Sequence, residues 1–464
     1  MAPALPYALS IILGMGFAFL DRPWILLPAI ILFLWQEKTR APQIIIVGIA
    51  ACLFAQTKIP PQTTSQIGYF KPQMMRAGQS HFGMYTLVQG KLTTLEGTTP
   101  CSIFLSYNGK RPPQNCHYIV EGKCKTPSRF YSSMQVKKWT PVPNTFTLTE
   151  KRYQTKKAVR TYLRKRIQDK EAFSLISALA TGELMDSSLA FDFGRLGLLH
   201  LLAISGFHFS LLALFLGKIV SKGFPKKIAG SILLILLSLF YLYMGPTASV
   251  TRAGLTILLP MLGTHFGLKM PALNALSLAA IFALLTNPLS LTNLGFQLSY
   301  LATFGLITLY PQIRLFLSHI LPIRTKTEAL ELSTLDRHGY LLVIFFRSAL
   351  SLTLSVTLTT LPLILLTFGK FPLLSLLYNF FFPLGMALLL FLLLTSFLFP
   401  PLFLLTEQTA KILLTFTHYP PKRLDFTLHA PFLTLEIVII LLTLLIAKRP
   451  QGGISQSKIV VRPP

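Results

Sequence analysis

Two histidines, a serine and a glycine sit in the middle of an apolar run, GRLGLLHLLAISGFHFS, at residues 194–210. The run is long enough to enter a bilayer, where polar side chains are costly and rarely face lipid. His200, Ser205, Gly206 and His208 are therefore the first candidates for function. The two histidines are eight positions apart, about 12 Å along a continuous helix and too far to share one metal ion. Ser205 and His208 are three apart and share a helix face. They have the composition of a nucleophile with its base, but no third group completes the set. No catalytic residue is assigned, and a membrane-embedded hydrolase using Ser205 and His208 stands as an alternative. Gly206 allows a close backbone approach or an unwound turn lining a cavity.

Further apolar segments carry isolated polar groups. Arg252 lies in GPTASVTRAGLT, residues 245–256, where an arginine needs a partner, a snorkelling route or a wet cavity. Facing a water-filled path, its planar fork would bind phosphate. Gln297 and Ser299 fall in GFQLSYL, and Asn379 falls in LLYNFFFPLG before Pro383. Such residues can bridge helices, but several helices with central polar groups favour a hydrated passage. Cys52, Cys101, Cys116 and Cys124 form no CxxC pair, and His418 and His429 stand alone, so no metal site is read. The absence of GxxxxGK[ST] leaves no nucleotide-binding loop, and no cofactor is expected.

The elements that must hold these residues are mostly apolar. Of 464 residues 52% are hydrophobic and 13% charged, half the charge of an average soluble domain. Membrane segments are expected at 4–20, 23–36 and 42–56, then at 197–217, 228–244, 248–267, 272–286, 292–310, 348–367, 372–399 and 431–447. The segment 372–399 reads as one long helix or two broken near Pro383. The N-terminus lacks a basic leader region and is expected to be retained. Residues 57–150 are polar and carry β-type runs at Met84–Leu92, Cys101–Tyr107, Cys116–Glu121 and Phe146–Leu148, with Asn108-Gly109 as a turn. They read as a small β-barrel or sandwich. Residues 151–170 form a basic helix, 171–447 a polytopic region, and 448–464 a polar tail. The fold class is thus a polytopic α-helical membrane protein with a small β domain inserted near the N-terminus. Phe173–Leu184 reads as a short amphipathic segment at the interface or re-entering the bilayer.

The formal charge of +27 is unevenly spread. Lys38 and Arg40, the lysines at 218, 222, 226 and 227, and the basic residues of a loop at 311–347 mark cytoplasmic sides. That parity places 57–193 outside. Yet residues 57–170 hold twenty Lys/Arg against four Asp/Glu, and topology gives a translocated segment no reason to be so basic. An external polyanion would: nucleic acid, anionic lipid or an envelope polymer. Arg152, Lys156, Lys157, Arg160, Arg164, Lys165 and Arg166 of the basic helix are the expected contacts, and an interfacial helix snorkelling on lipid is the competing reading. Tyr69, Phe70, Phe82, Tyr85, Phe104, Tyr107, Tyr118, Phe130, Tyr131 and Trp139 supply rings for base stacking or for a strand core. Outside the cytoplasm, two of Cys101, Cys116 and Cys124 are expected to pair.

Several motifs together resemble the ComEC-type competence proteins. They are Gly197 to His208 (GLLHLLAISGFH), then Gly245, Ser249, Arg252 and Ala253, then Asn287-Pro288 followed by Gly295–Ser299. Last come Leu361-Pro362, Phe368-Gly369, Asn379 and Pro383. The order spans residues 180–385, and the first motif is the specific one. The resemblance implies a bacterial inner-membrane channel for single-stranded DNA uptake in transformation, with an OB-like extracytoplasmic domain. It also implies membrane lipids, other competence proteins and a cytoplasmic DNA translocase as partners. Many relatives carry a metallo-β-lactamase-like domain, but these 464 residues hold no HxHxDH pattern, so nuclease activity is expected from a separate protein. An envelope polymer or lipid transporter is the remaining alternative.

Overall fold

In a computed structural model the described residues are 3–20, 40–59, 67–80, 83–95, 97–106, 112–128, 130–202, 206–321, 333–418 and 425–427, with single positions between 26 and 37. The chain divides into two compact units, Met1–Tyr300 with Pro372–Phe426, and Leu301–Phe371 with Thr427–Pro464.

The first unit opens with two apolar helices, α1 (Leu5–Phe19) and α2 (Ala41–Gln56). They pack closely because Gly14 faces the backbone of Gly48, where no side chain would fit. The expected segment at 23–36 lies largely outside the described residues.

Five strands follow: β1 (Ile67–Ser80), β2 (Gly83–Thr94), β3 (Gly97–Ser106), β4 (Tyr118–Ser128) and β5 (Tyr131–Pro141). They close into a barrel of order β1-β2-β3-β5-β4, sealed by antiparallel β1–β4 pairing, with β3 and β5 parallel. Closure leaves no free sheet edge. Phe70, Val88, Leu92, Ile103, Val120 and Met134 fill the interior, following the period of two that puts alternate side chains inward. Phe70 and Tyr118 are core, each with Trp139 against it edge to face at 6.1 and 5.3 Å. Tyr69 and Phe104 remain exposed.

The expected strand at Phe146–Leu148 does not form. That stretch leads into the basic helix, with Phe146 exposed. The expectation of a disulfide is not met either: no disulfide links any of the four cysteines, all of which are described. Cys101 points into the barrel core, where burial pushes its thiol up to about 12.

The basic segment forms α3 (Thr149–Arg164). Next come α4 (Lys170–Thr181), capped by the Asp169 carboxylate and ended by Gly182 in the left-handed conformation, and α5 (Ser187–Arg195). Within the run at 194–210 the described helical segments are α6 (Leu199–Leu202) and α7 (Gly206–Gly223). Helices α8 (Lys226–Met244), α9 (Ala248–His265) and α10 (Ala272–Thr286) follow. Helix α11 (Leu294–Ile320) begins in the first unit and continues into the second, which also holds α12 (Thr334–Phe368). The chain returns to the first unit for α13 (Leu374–Leu398) and α14 (Phe403–His418). An apolar core of α4, α5, α13 and α14 residues, including Leu175, Phe193, Met386, Leu389 and Leu414, holds this part together.

Among the described residues four helices, Lys226–Met244, Leu294–Ile320, Thr334–Phe368 and Leu374–Leu398, are long and apolar enough to cross a membrane. Leu5–Phe19, Ala41–Gln56 and Ala272–Thr286 are shorter apolar helices. Pro383 lies inside one unbroken helix. The loop expected at 311–347 is mostly helix, since α11 runs on to Ile320 and α12 starts at Thr334. Arg347 is accordingly no loop marker: it is 2% exposed and donates to the Leu321 carbonyl at 2.9 Å. The expected span at 431–447 and the tail lie outside the described residues.

Candidate functional site

Arg252 sits in the second turn of α9, whose start is fixed by the Thr247 hydroxyl accepting from the Val250 amide at 3.3 Å. The arginine is 8% exposed. Its Nε donates to Ser299 Oγ on α11 at 2.9 Å. Its two terminal nitrogens lie against Gly206 of α7: a Cβ there would stand 3.2 and 3.3 Å from them. Any residue larger than glycine would press on the guanidinium. The buried Tyr300 hydroxyl, next along α11, has no hydrogen-bond partner among the described residues. Three motif residues distant in sequence, Gly206, Arg252 and Ser299, thus meet at one point.

The electrostatics of that point are lopsided. Among the described residues no carboxylate pairs with Arg252. A buried charge ordinarily has a counter-charge or costs several kcal/mol. An arrangement with none is chemically suited to receiving an anion, and the guanidinium fork matches two oxygens of a phosphate.

The other expected site residues serve elsewhere. His200 Nδ1 donates to the Gly197 carbonyl at 3.0 Å. Gly197 itself has φ +69° and packs where a Cβ would fall 2.6 Å from the Ser375 Cβ. His208 is 3% exposed and lines an apolar cavity of about 200 Å³ with Leu179, Leu212, Phe240, Tyr243, Leu393 and Phe397. Gln297 Nε2 holds the Leu291 carbonyl at 2.7 Å, fastening the turn before α11. The Asn379 Oδ1 is buried without a hydrogen-bond partner among the described residues. Ser205 lies outside the described residues. No group of three or more potential metal ligands occurs among the described residues.

The basic helix is two-sided, which corrects the expectation for three of its cations. Tyr153, Lys156, Arg160 and Leu163 recur at helical spacing and are buried. Lys156 Nζ lies 3.3 Å from Glu183 Oε1 and donates to the Met244 carbonyl at 3.2 Å. Arg160 Nη1 donates to Glu183 Oε2 at 2.5 Å. Arg152 is half-buried and donates from Nε to the Leu242 carbonyl at 2.8 Å and from Nη1 to the Gln73 carbonyl at 3.1 Å. Burial holds the Lys156 ammonium below the usual lysine range, and Glu183 opposes that fall. These three charges are spent inside the protein. Lys157, Arg164, Lys165 and Arg166 remain exposed, with Arg166 stacked 3.7 Å over the Tyr162 ring. Sequence reasoning missed Glu183. Its signal was a lone carboxylate after a C-terminal glycine, close to so basic a segment.

Residues 178–449 match the model of the family described as "Competence protein". Over 156 residues the chain is 30% identical to "ComE operon protein 3" of Bacillus subtilis (strain 168), a match covering 32% of this chain and 20% of that protein. The chain therefore matches about a fifth of that relative's length. No solved structure is significantly similar.

Proposed function

This chain belongs to the competence protein family, and from that membership we propose that it is a multi-pass protein of the bacterial inner membrane that passes single-stranded DNA during transformation. The observation that carries this reading is the buried Arg252 guanidinium, set on Gly206 without a carboxylate partner among the described residues. A strand of phosphodiesters brings one negative charge per nucleotide past such a point, and each phosphate would supply the missing counter-charge in turn. The similarity to "ComE operon protein 3" of Bacillus subtilis supports the same direction.

The barrel supports an external gathering role. A closed five-stranded barrel favours an OB-type assignment, a fold that binds oligonucleotides. Exposed Tyr69 and Phe104 offer stacking faces. The outward cations Lys157, Arg164, Lys165 and Arg166 extend the basic surface along α3. In this reading the chain does no covalent chemistry. A separate nuclease and a cytoplasmic translocase act before and after it, and membrane lipids surround the helices. The Ser205–His208 hydrolase is not favoured, since His208 faces an apolar cavity.

Arg252→Gln tests the reading in a transformable bacterium whose own competence-family gene is replaced by this one. Uptake of DNA should be lost while binding of external DNA persists. Normal uptake at normal expression would show that the buried arginine is not part of the passage.

A further inference from the structure

Glu183 is 2% exposed and gathers cations from two turns of α3, Lys156 at 3.3 Å and Arg160 at 2.5 Å. Its own backbone is fastened, because its amide donates to Thr181 Oγ1 at 3.3 Å and that hydroxyl donates to the Ser177 carbonyl at 2.7 Å. The cations it holds reach onward. Lys156 takes the Met244 carbonyl, and its helix neighbour Arg152 takes the Leu242 carbonyl. Both carbonyls lie at the C-terminal end of α8, where they lack helical partners. Arg152 also grips Gln73 in β1 of the barrel. Immediately after Met244 the chain turns at Gly245, with φ +92°, and the turn lies flat on Arg152: a Cβ there would be 3.2 Å from Arg152 Cδ. Two residues later Thr247 caps α9, the helix that carries Arg252.

We infer that Glu183 is a positioning residue for the Arg252 site. Through Lys156, Arg152 and the Gly245 turn it fixes where α9 starts, and it ties that start to the barrel. The inference rests on the proposed role of Arg252 in DNA passage. The pieces are otherwise unrelated in sequence, and each contact made by the side chains of Arg152, Lys156 and Arg160 ends on a carbonyl or carboxylate that would be costly to leave unpaired. The two terminal carbonyls of α8 are claimed by two cations of one helix, and that helix is held in register by one carboxylate. Removing that carboxylate leaves α3 without its fixed register against α8, and the turn before α9 without its floor.

The test uses the full chain in lipid nanodiscs and the gene-replacement strain. Glu183→Gln keeps the side chain's shape and removes its charge. Hydrogen exchange at Leu242–Val250 should speed up, and uptake should fall about tenfold, equivalent to ~1.4 kcal/mol of lost positioning. Binding of external single-stranded DNA should change less than about twofold, because Lys157, Arg164, Lys165 and Arg166 are untouched. Arg252→Gln should block uptake with exchange at Leu242–Val250 unchanged. If Glu183→Gln does not accumulate in membranes, Arg152→Lys decides, since it keeps the charge but cannot hold the Gln73 and Leu242 carbonyls together. It should raise exchange at the same segment and lower uptake. Wild-type exchange and uptake in the charge-neutral or the lysine variant, with Arg252→Gln still blocked, would overturn the positioning role alone. Normal uptake by Arg252→Gln would instead remove the proposed function, and exchange at Leu242–Val250 would then judge the linkage by itself.

Discussion

Two buried cationic centres lie in the first unit, and their surroundings differ in one respect. Lys156 and Arg160 share Glu183, so each cation of this matched centre has a carboxylate within 3.3 Å. Arg252 meets a serine hydroxyl and a glycine. Burial is similar in both, so depth alone does not separate a structural cation from a functional one. The counter-charge does. In the matched centre one carboxylate offsets part of the charge of two cations and holds elements in register, whereas the guanidinium of Arg252 has no carboxylate in contact among the described residues.

The largest expected effect breaks the matched centre. Glu183→Ala should destabilise the protein by ~3–5 kcal/mol, because it strands two buried cations. Denaturant unfolding in detergent, followed by intrinsic tyrosine and tryptophan fluorescence, would measure it. Arg252→Met should leave stability within ~1 kcal/mol of wild type or raise it, since it removes a buried charge that has no counter-charge. Equal losses in the two variants would erase the difference between the centres.

A second comparison is between the two sides of α3. Changing Lys157, Arg164, Lys165 and Arg166 to Gln should weaken single-stranded DNA binding by the full chain. It should also flatten the dependence of log affinity on log salt by about 0.7 for each phosphate that is no longer neutralised. Arg160→Gln should leave the slope as it is, because that guanidinium already faces Glu183. A slope that changes with Arg160 and not with the outer four would reverse the assignment of sides.

The smallest effect concerns Gly206. Gly206→Ala puts a methyl 3.2 Å from the guanidinium. The arginine must then shift by a few tenths of an ångström, and uptake should fall severalfold while stability changes by no more than ~1 kcal/mol. Unchanged uptake would show that the close approach of α7 to Arg252 has no part in passage.

Much of this is legible in the residues because each signal is local. Apolar runs mark the helices, and Gly206, Arg252 and Ser299 each stand out as a small or polar residue in an apolar setting. That they converge is a long-range fact, with Ser299 47 positions beyond Arg252, and no periodicity carries it. Strands β1 and β5 escape the sequence for a different reason. Their inward positions include Ser132 beside Met134, and Pro72 interrupts β1, so the alternation of apolar and polar is blurred. The split of α3 into two faces is readable in principle from the spacing of Tyr153, Lys156, Arg160 and Leu163. Charged residues on an inward stripe are discounted unless a partner is known, and Glu183 lies 23 residues beyond Arg160.

The second unit holds a seam of small hydroxyl side chains. Down α12, Ser351, Ser355 and Thr359 recur every four residues, all buried. Each hydroxyl donates to the carbonyl one turn back in its own helix, at 2.7, 2.5 and 3.1 Å. Gly305 of α11 lies against this stripe, where a Cβ would be 2.6 Å from the Ser355 carbonyl oxygen. The stripe therefore offers its neighbour a smooth, short-chained surface whose hydroxyl protons are already occupied at home. Because those three hydroxyls bond within α12, they spend their protons at home, and Gly305 meets them by shape.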